Sequence, residues 1–194
     1  ANTECTPEYL LQFGVMGSLY MQKIKGIANP RVGLVNNGSE DSKGDPLRKE
    51  AYALLKAAGE AGHINFVGNV EGRDVPLGAC DVAVCDGFAG NVMLKTIEGV
   101  AKFMAGAIKD VFTANLGTKL AYLVCKKGMD DFRSLFDQDA VGGAPFIGIS
   151  RPVIKAHGSS NDTAFMNAIR QAIEYKKSGM IEAIEQNVQH MTAE

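Results

Sequence analysis

The stretch from residue 82 to residue 95 constrains the fold most, because it reads as a buried strand, a glycine-rich turn and the start of a long helix. A run of small apolar residues ends at Asp86, and Gly87 and Gly90 follow it. Asn91 stands where we expect the N-cap of the helix. In an α/β protein such a junction directs backbone N–H groups and the positive end of a helix dipole at a ligand site. The same residues also fit a tight connection without a ligand.

Strands and helices alternate along the first half of the chain. The apolar runs 32–35 and 64–67 are bounded by breakers and predict buried strands, with a surface helix between them at residues 47–58. A further helix is predicted to begin after Thr6 and to end near residue 26. This order and spacing predict parallel βαβ units, and therefore an α/β fold.

The second half of the chain does not show this alternation of strands and helices. Residues 92–136 predict long helices with an apolar stripe, which fits core packing, a subunit interface or an amphipathic face that touches a membrane. Residues 142–149 and 152–156 predict two strands joined by a tight turn, so we expect a mixed but mostly parallel sheet. We expect a central α/β lobe over residues 1–150, with a helical interface excursion at about 106–138, and a returning segment over 151–194.

The composition narrows the classes of partner. A net charge of -2 with interspersed charges gives no basic stripe, so we expect no nucleic acid partner. Four cysteines form no C-x-x-C pair and no histidine stands at zinc-ligand spacing, so we expect free thiols of a cytoplasmic protein and no metal. We also expect no cofactor. No run approaches the roughly 18 apolar residues of a membrane span. The first residue is not Met, which suggests a processed chain or a fragment.

Three polar turns follow the predicted strands, at residues 36–43, 86–91 and 155–161. If all the strands lie in one parallel sheet, the turns meet at one edge, where lysine, amide and hydroxyl donors suit an anion such as phosphate. Neither a Walker A sequence nor G-x-G-x-x-G occurs. The catalytic candidates are Asp86, Asn91 and His157, and the binding candidates are Gly87, Gly90, Lys95, Lys155, Ser159, Ser160, Asn36 and Ser39.

Each candidate also has a purely structural interpretation. Asp86 could merely accept N–H bonds of its turn, Asn91 could be only a cap, and His157 could be a satisfied structural histidine. Lys95 could be solvated or paired. Cys85 is a poor candidate for a nucleophile, because a neighbouring acid and burial in the strand both raise a thiol pKa.

Five runs resemble the bacterial phosphate acyltransferase family, PlsX, of phospholipid synthesis. They are Asn-Pro-Arg-Val-Gly-Leu at 29–34, Ile-Asn-Phe-Val-Gly-Asn-Val-Glu-Gly-Arg-Asp at 64–74, Val-Cys-Asp-Gly-Phe-Ala-Gly-Asn-Val at 84–92, Gly-Gly-Ala-Pro at 142–145 and Val-Ile-Lys-Ala-His-Gly-Ser-Ser at 153–160. The resemblance covers nearly the whole chain. It implies a three-layer α/β/α fold similar to isocitrate and isopropylmalate dehydrogenases.

The resemblance also implies an activity and partners. Family members convert fatty acyl-[acyl carrier protein] and inorganic phosphate to acyl phosphate, which implies acyl carrier protein and phosphate as partners. It further implies a cytoplasmic homodimer with peripheral contact at the inner membrane face, near a downstream membrane acyltransferase. In this interpretation Asp86 orients or deprotonates phosphate for direct attack, Asn91, Ser159 and turn amides donate hydrogen bonds, and Lys155 and His157 offset charge.

Family members are longer, and this chain resembles their C-terminal part. We therefore expect residues 151–194 to return to a lobe built by an absent N-terminal segment, leaving the cleft incomplete. Two alternatives remain at this point. One is a phosphate acetyltransferase-like enzyme that uses acyl-CoA, and the other is a non-catalytic binding or scaffold fragment.

Overall fold

Five strands and six α-helices are found in the parts of the chain that this computed structural model describes, residues 1–134, 142–158 and 160–191. The strands are β1 (Arg31–Asn36), β2 (Asn65–Glu71), β3 (Val82–Val84), β4 (Ala144–Pro145) and β5 (Ile154–Lys155). The helices are α1 (Pro7–Lys23), α2 (Pro46–Glu60), α3 (Gly87–Thr113), α4 (Leu116–Ser134), α5 (Asp162–Lys177) and α6 (Met180–Gln186), followed by a 3₁₀ turn at Val188–Met191.

A parallel sheet in the order β2-β1-β3 forms the centre of the fold. Its middle strand places Val32 between Phe66 and Val82, and Leu34 pairs with Val84 on β3. Because β1 has neighbours on both sides, its apolar run is buried, as a central parallel strand requires. The predicted parallel βαβ arrangement and the mixed α/β class are confirmed, and the architecture is consistent with three α/β/α layers.

The core lies between this sheet and helices α1 and α2. Its fully buried members include Leu10, Val32, Leu34, Ala51 and Leu55. Both helices begin at side-chain caps followed by proline: the Thr6 hydroxyl accepts from the N–H of Tyr9, and the Asp45 carboxylate accepts from the N–H of Arg48. These caps fix the start of each helix and so the height at which it packs on the sheet.

Helices α3 and α4 form a hairpin that stands apart from the core. The rings of Phe112 and Tyr122 meet edge to face across it, with centroids 5.5 Å apart. None of the residues of α3 is buried. The core-packing interpretation of this apolar stripe is therefore not observed in this chain. The predicted helical region over residues 92–136 continues to Ser134 within α4, and its last two positions lie outside the described residues.

The two strands predicted after residue 142 are much shorter than expected. β4 and β5 span two residues each and pair antiparallel in a sheet of their own, so the mixed sheet is in fact two separate sheets. α5 begins at an Asn161 cap, and the 3₁₀ turn at Val188–Met191 packs against α1, where the side-chain amide of Gln12 donates to the carbonyl of Met191 at 3.3 Å. The division into lobes near residue 150 stays a prediction. Of the helices in the described ranges, none is both long and apolar enough to cross a bilayer.

Candidate active site

Asp86 lies two residues after β3 and is the N-cap of α3. One carboxylate oxygen accepts from the N–H of Ala89 at 2.8 Å, and the residue is 7% exposed. The cap holds a negative charge at the end of a 27-residue helix, where the unpaired N–H groups and the helix dipole favour anions. Asp86 is therefore a largely buried charge at a natural anion site.

The second oxygen of Asp86 forms a short ion pair with the Nη2 atom of Arg48, in the first turn of α2. The Nη1 atom of the same guanidinium contacts the carboxylate of Asp45 at 2.6 Å. Arg48 therefore joins the N-terminal caps of two helices, α2 and α3. Its side chain is 20% exposed, so the pair is largely shielded from water.

A network of buried amides shapes the loop of residues 37–45 beside this pair. The side-chain amide of Asn36 donates to the side-chain oxygen of Asn69 at 3.1 Å and to the carbonyl of Lys43. Asn69 donates in turn to the carbonyl of Glu40 at 2.8 Å. Gly44 has φ +97°, and a Cβ there would lie 2.8 Å from both Asn36 and Arg48. Because these contacts use the Asn36 side chain, the structure assigns Asn36 to positioning the loop.

Gly87 and Gly90 belong to the first turn of α3 and do not form a separate glycine-rich turn. The N–H of Gly87 donates to the carbonyl of Asn2 at 2.6 Å, and a Cβ on Gly87 would lie 2.6 Å from the backbone nitrogen of Asn2. A Cβ on Gly90 would lie 2.9 Å from the sulfur of Cys85. Close approach therefore explains both glycines. The prediction of a glycine-rich turn between the strand and the helix is wrong, because the helix already begins at Gly87.

Asn91 is not the N-cap of this helix, contrary to the prediction, since Asp86 has that position. Asn91 is exposed inside α3, and Lys95 lies one turn further along. The Lys95 ammonium pairs with the carboxylate of Glu98 at 2.7 Å. Of the structural interpretations of Lys95, the structure shows the ion-paired one. Ser39 is an exposed residue of the 37–45 loop.

The predicted third turn lies on a different sheet from Asp86. Lys155 is an exposed residue of β5, and His157 follows that strand and is also exposed. The N–H of Ser160 donates to the carbonyl of His157 at 3.0 Å, directly before α5 begins. The prediction that all three turns share the edge of one parallel sheet is therefore wrong for this turn. Ser159 lies outside the described residues.

Two thiols lie close to the Asp86 carboxylate. Burial raises the pKa of the Cys85 thiol, and the charge of Asp86 raises it further. Burial also raises the pKa of Cys5, again with a contribution from Asp86. Because the thiolate is the nucleophilic form, both pKa shifts oppose cysteine chemistry at this site.

The described residues contain no group of three His, Cys, Asp or Glu side chains arranged to hold a metal ion. The groups that do converge are a carboxylate, a guanidinium and the N–H groups of the first turn of α3. The N–H groups of Gly87, Ala89 and Gly90 already have protein acceptors. The guanidinium can donate to anion oxygens, whereas the carboxylate can accept from a protonated oxygen. Together they suit a partly protonated oxyanion such as hydrogen phosphate.

Arg48 and Asn69 were missed by the sequence reasoning. A usable signal existed for Arg48, because a cation in the first turn of a helix opposes the dipole unless an acid compensates it. Asp-Pro before it marks the start of that helix. For Asn69 no local signal existed, since its partners come from another strand and its loop.

Comparison with known proteins shows which family the chain resembles. The model of a family described as fatty acid synthesis protein matches residues 1–183. The chain is 47% identical over 192 residues to a phosphate acyltransferase of Brevibacillus brevis, with 99% of the chain and 56% of the relative covered. Phosphate acyltransferases of Clostridium acetobutylicum (44% identical over 191 residues, 98% of the chain) and Acetivibrio thermocellus (46% over 193 residues, 100% of the chain) are also similar. In each case the chain spans 56% of the relative's length.

Proposed function

This chain belongs to the fatty acid synthesis protein family, the PlsX family, and on that premise we propose that the complete protein transfers a fatty acyl group from acyl carrier protein to inorganic phosphate. The products are acyl phosphate and free acyl carrier protein. The relatives' name, phosphate acyltransferase, supports the reaction type, an acyltransferase that acts on phosphate. The thioester donor is our more specific proposal.

The observation that carries the proposal is the Asp86–Arg48 pair at the N-terminus of α3. Hydrogen phosphate has one O–H donor and several acceptor oxygens. Asp86 can accept the O–H, while Arg48 donates to the remaining oxygens. Both oxygens of Asp86 already have partners in this structure, which favours orientation of phosphate over strong basicity.

In the proposed reaction, a phosphate oxygen attacks the thioester carbonyl carbon and a C–O bond forms. The tetrahedral intermediate then collapses, the C–S bond breaks, and the carrier's thiolate leaves and takes up a proton. Asp86 and Arg48 hold the phosphate in line with the carbonyl, which removes much of the entropic cost of bringing two substrates together. We place His157, Lys155 and Ser159 in the complete site as donors to the carbonyl or phosphate.

The proposed partners and location extend from the same premise. We propose a cytoplasmic homodimer that contacts the inner membrane face and passes its product to a membrane acyltransferase. The exposed apolar residues of α4 support an association surface: Leu116, Leu120, Leu123 and Val124 are between 65% and 88% exposed. Sedimentation velocity of the purified chain, with and without anionic vesicles, tests both associations.

The direct test of the activity is a phosphate-dependent assay. Acyl-[acyl carrier protein] or acyl-CoA is incubated with labelled inorganic phosphate and the 194-residue chain, or with the chain joined to the N-terminal part of the Brevibacillus brevis relative. We expect labelled acyl phosphate from the joined protein with the carrier-protein donor. A preference for acyl-CoA would favour an acetyltransferase-like enzyme. No product with either donor would favour a non-catalytic role.

A further inference from the structure

A long apolar groove begins beside the Asp86–Arg48 pair and runs along α3. Its volume is about 1070 Å³. The α3 side of the groove is a stripe of residues spaced four apart: Phe88, Val92, Thr96, Val100 and Met104. Since neighbours at this spacing lie on the same side of a helix, the stripe is continuous over more than four turns.

The stripe is long enough for a whole fatty acyl chain. Phe88 and Met104 are sixteen residues apart on one helix, which at a rise of 1.5 Å per residue is about 24 Å. One leaflet of a bilayer's hydrocarbon core, the length that a lipid chain spans, is about 15 Å thick. The opposite wall comes from the loop that contains Arg73 and Pro76, with Phe132 contributed by α4.

The groove has a charged side chain, Arg48, at one end and apolar residues at the Met104 end. Among the described residues that line it, polar side chains are limited to Arg48, Arg73 and Thr96. Arg48 marks the end at which α3 begins, because it pairs with the cap of that helix. Towards the far end the lining is apolar and well exposed, with Val100 at 55% and Met104 at 46%. This arrangement complements a ligand with an anionic or polar head and a long hydrocarbon tail.

We propose that this groove binds the acyl chain of the substrate, with the reacting carbonyl at the Arg48 end and the terminal methyl group towards Met104. The proposal rests on the proposed function and adds a chain-binding site to it. Arg48 pairs with Asp45 and Asp86, and Arg73 pairs with Glu71 and Asp74. We assign the guanidinium N–H groups left over from these pairs as donors to the phosphate of the product. Selectivity for acyl-chain length then depends on how far the hydrocarbon extends along α3.

The test uses binding to the 194-residue chain and does not depend on catalysis. The probes are 2-oxoalkylphosphonates, stable analogues of acyl phosphate, with eight-carbon and sixteen-carbon chains, titrated in a calorimeter. Each buried methylene contributes about a fourfold gain in affinity, so the longer probe is expected to bind at least about 100-fold more tightly. Val100→Trp fills the far part of the groove. Leu94→Trp is the matched control, because Leu94 is 51% exposed on α3 but does not line the groove.

For Val100→Trp we expect at least a roughly tenfold loss of affinity for the sixteen-carbon probe and a change within about twofold for the eight-carbon probe. Leu94→Trp leaves both affinities within about twofold of the parent. Helical circular dichroism that matches the parent confirms that each variant is folded. Met104→Trp is the second variant if Val100→Trp is unfolded.

Several results overturn the proposal: no binding of either probe, equal affinity for both, or no effect of Val100→Trp on the longer probe. Equal losses in Val100→Trp and Leu94→Trp overturn it as well. Loss of a dimer in Val100→Trp without loss of probe affinity assigns the groove to a second copy of the chain. If the joined protein forms acyl phosphate but probe affinity does not depend on acyl-chain length, the groove assignment is refuted and the proposed function is supported. If the probes bind as predicted but the joined protein does not catalyse the reaction, the proposed function is refuted and the groove assignment is supported.

Discussion

Arg48, in the first turn of α2, forms an ion pair with Asp86, the residue that caps α3. Asp86 follows strand β3, and a second ion pair lies at the start of that strand. Asp81, just before β3, binds Arg31 through contacts of 3.0 Å to both of its carboxylate oxygens. The pair at the start of β3 joins two strands, whereas the pair after its end lies at a helix N-terminus beside an apolar groove. This difference in position motivates the functional assignment.

Removing Arg48 is expected to destabilise the fold, because it leaves the Asp86 carboxylate shielded from water without its counter-ion. Arg48→Met retains much of the side-chain volume, and we expect a loss of about 2 to 3 kcal/mol in the free energy of unfolding. Adding Asp86→Asn to this variant should recover part of the loss. Urea denaturation measures both. Lys49→Met, a change of an exposed neighbour, is the control, and an equal cost there would contradict the assigned role of the pair.

Gly14 allows α1 to approach α2. A Cβ at this position would lie 2.7 Å from the Cδ2 atom of Leu55, so we expect Gly14→Ala to cost about 1 to 3 kcal/mol. Gly99 is the matched control, since it is also helical and a Cβ there meets nothing within 4 Å. Gly99→Ala should stabilise by up to about 1 kcal/mol through helix propensity. Thermal unfolding of the two variants should therefore shift in opposite directions, and a shared direction would refute the packing argument.

The buried amides of Asn36 and Asn69 should act as one unit. Asn36→Ala leaves the Asn69 oxygen without its donor, and we expect a loss of about 1 to 3 kcal/mol. A double-mutant cycle with Asn69→Ala should give a coupling energy of at least about 0.5 kcal/mol. Strictly additive losses in chemical denaturation would show that the two side chains do not cooperate in holding the loop.

Tyr52 predicts a specific loss of stability at alkaline pH. Burial and a hydrogen bond with Asp41 raise the pKa of Tyr52 to about 12, whereas a tyrosine in the unfolded chain has a pKa of about 10. The folded state therefore favours the neutral phenol. Its contribution is fully present below about pH 10 and is lost as the pH rises towards 12. Between these values the parent should lose more stability than Tyr52→Phe, and parallel stability curves would contradict the shifted pKa.

The sequence predicted the parallel βαβ core well, because apolar runs bounded by breakers report local structure directly. It placed the start of α3 too late, at Asn91, because two glycines so close together resemble a turn. Their real cause is a tertiary contact, the close approach of Asn2 to Gly87, which no local pattern reveals. For Arg48 a local signal existed at the start of α2, but that signal does not identify its partner Asp86, which is 38 residues away along the chain.

The proposed role of Asp86 is tested most directly by the rate of acyl phosphate formation in the joined, full-length protein. Asp86→Asn preserves the size of the side chain and an oxygen for the helix cap but removes the charge that faces Arg48. Asp81→Asn makes the same chemical change in the ion pair at the other end of β3. We expect Asp86→Asn to lower the rate at least about 100-fold. Asp81→Asn should stay within about threefold of the parent, while Asp86→Asn activity within a few-fold of the parent would contradict the account.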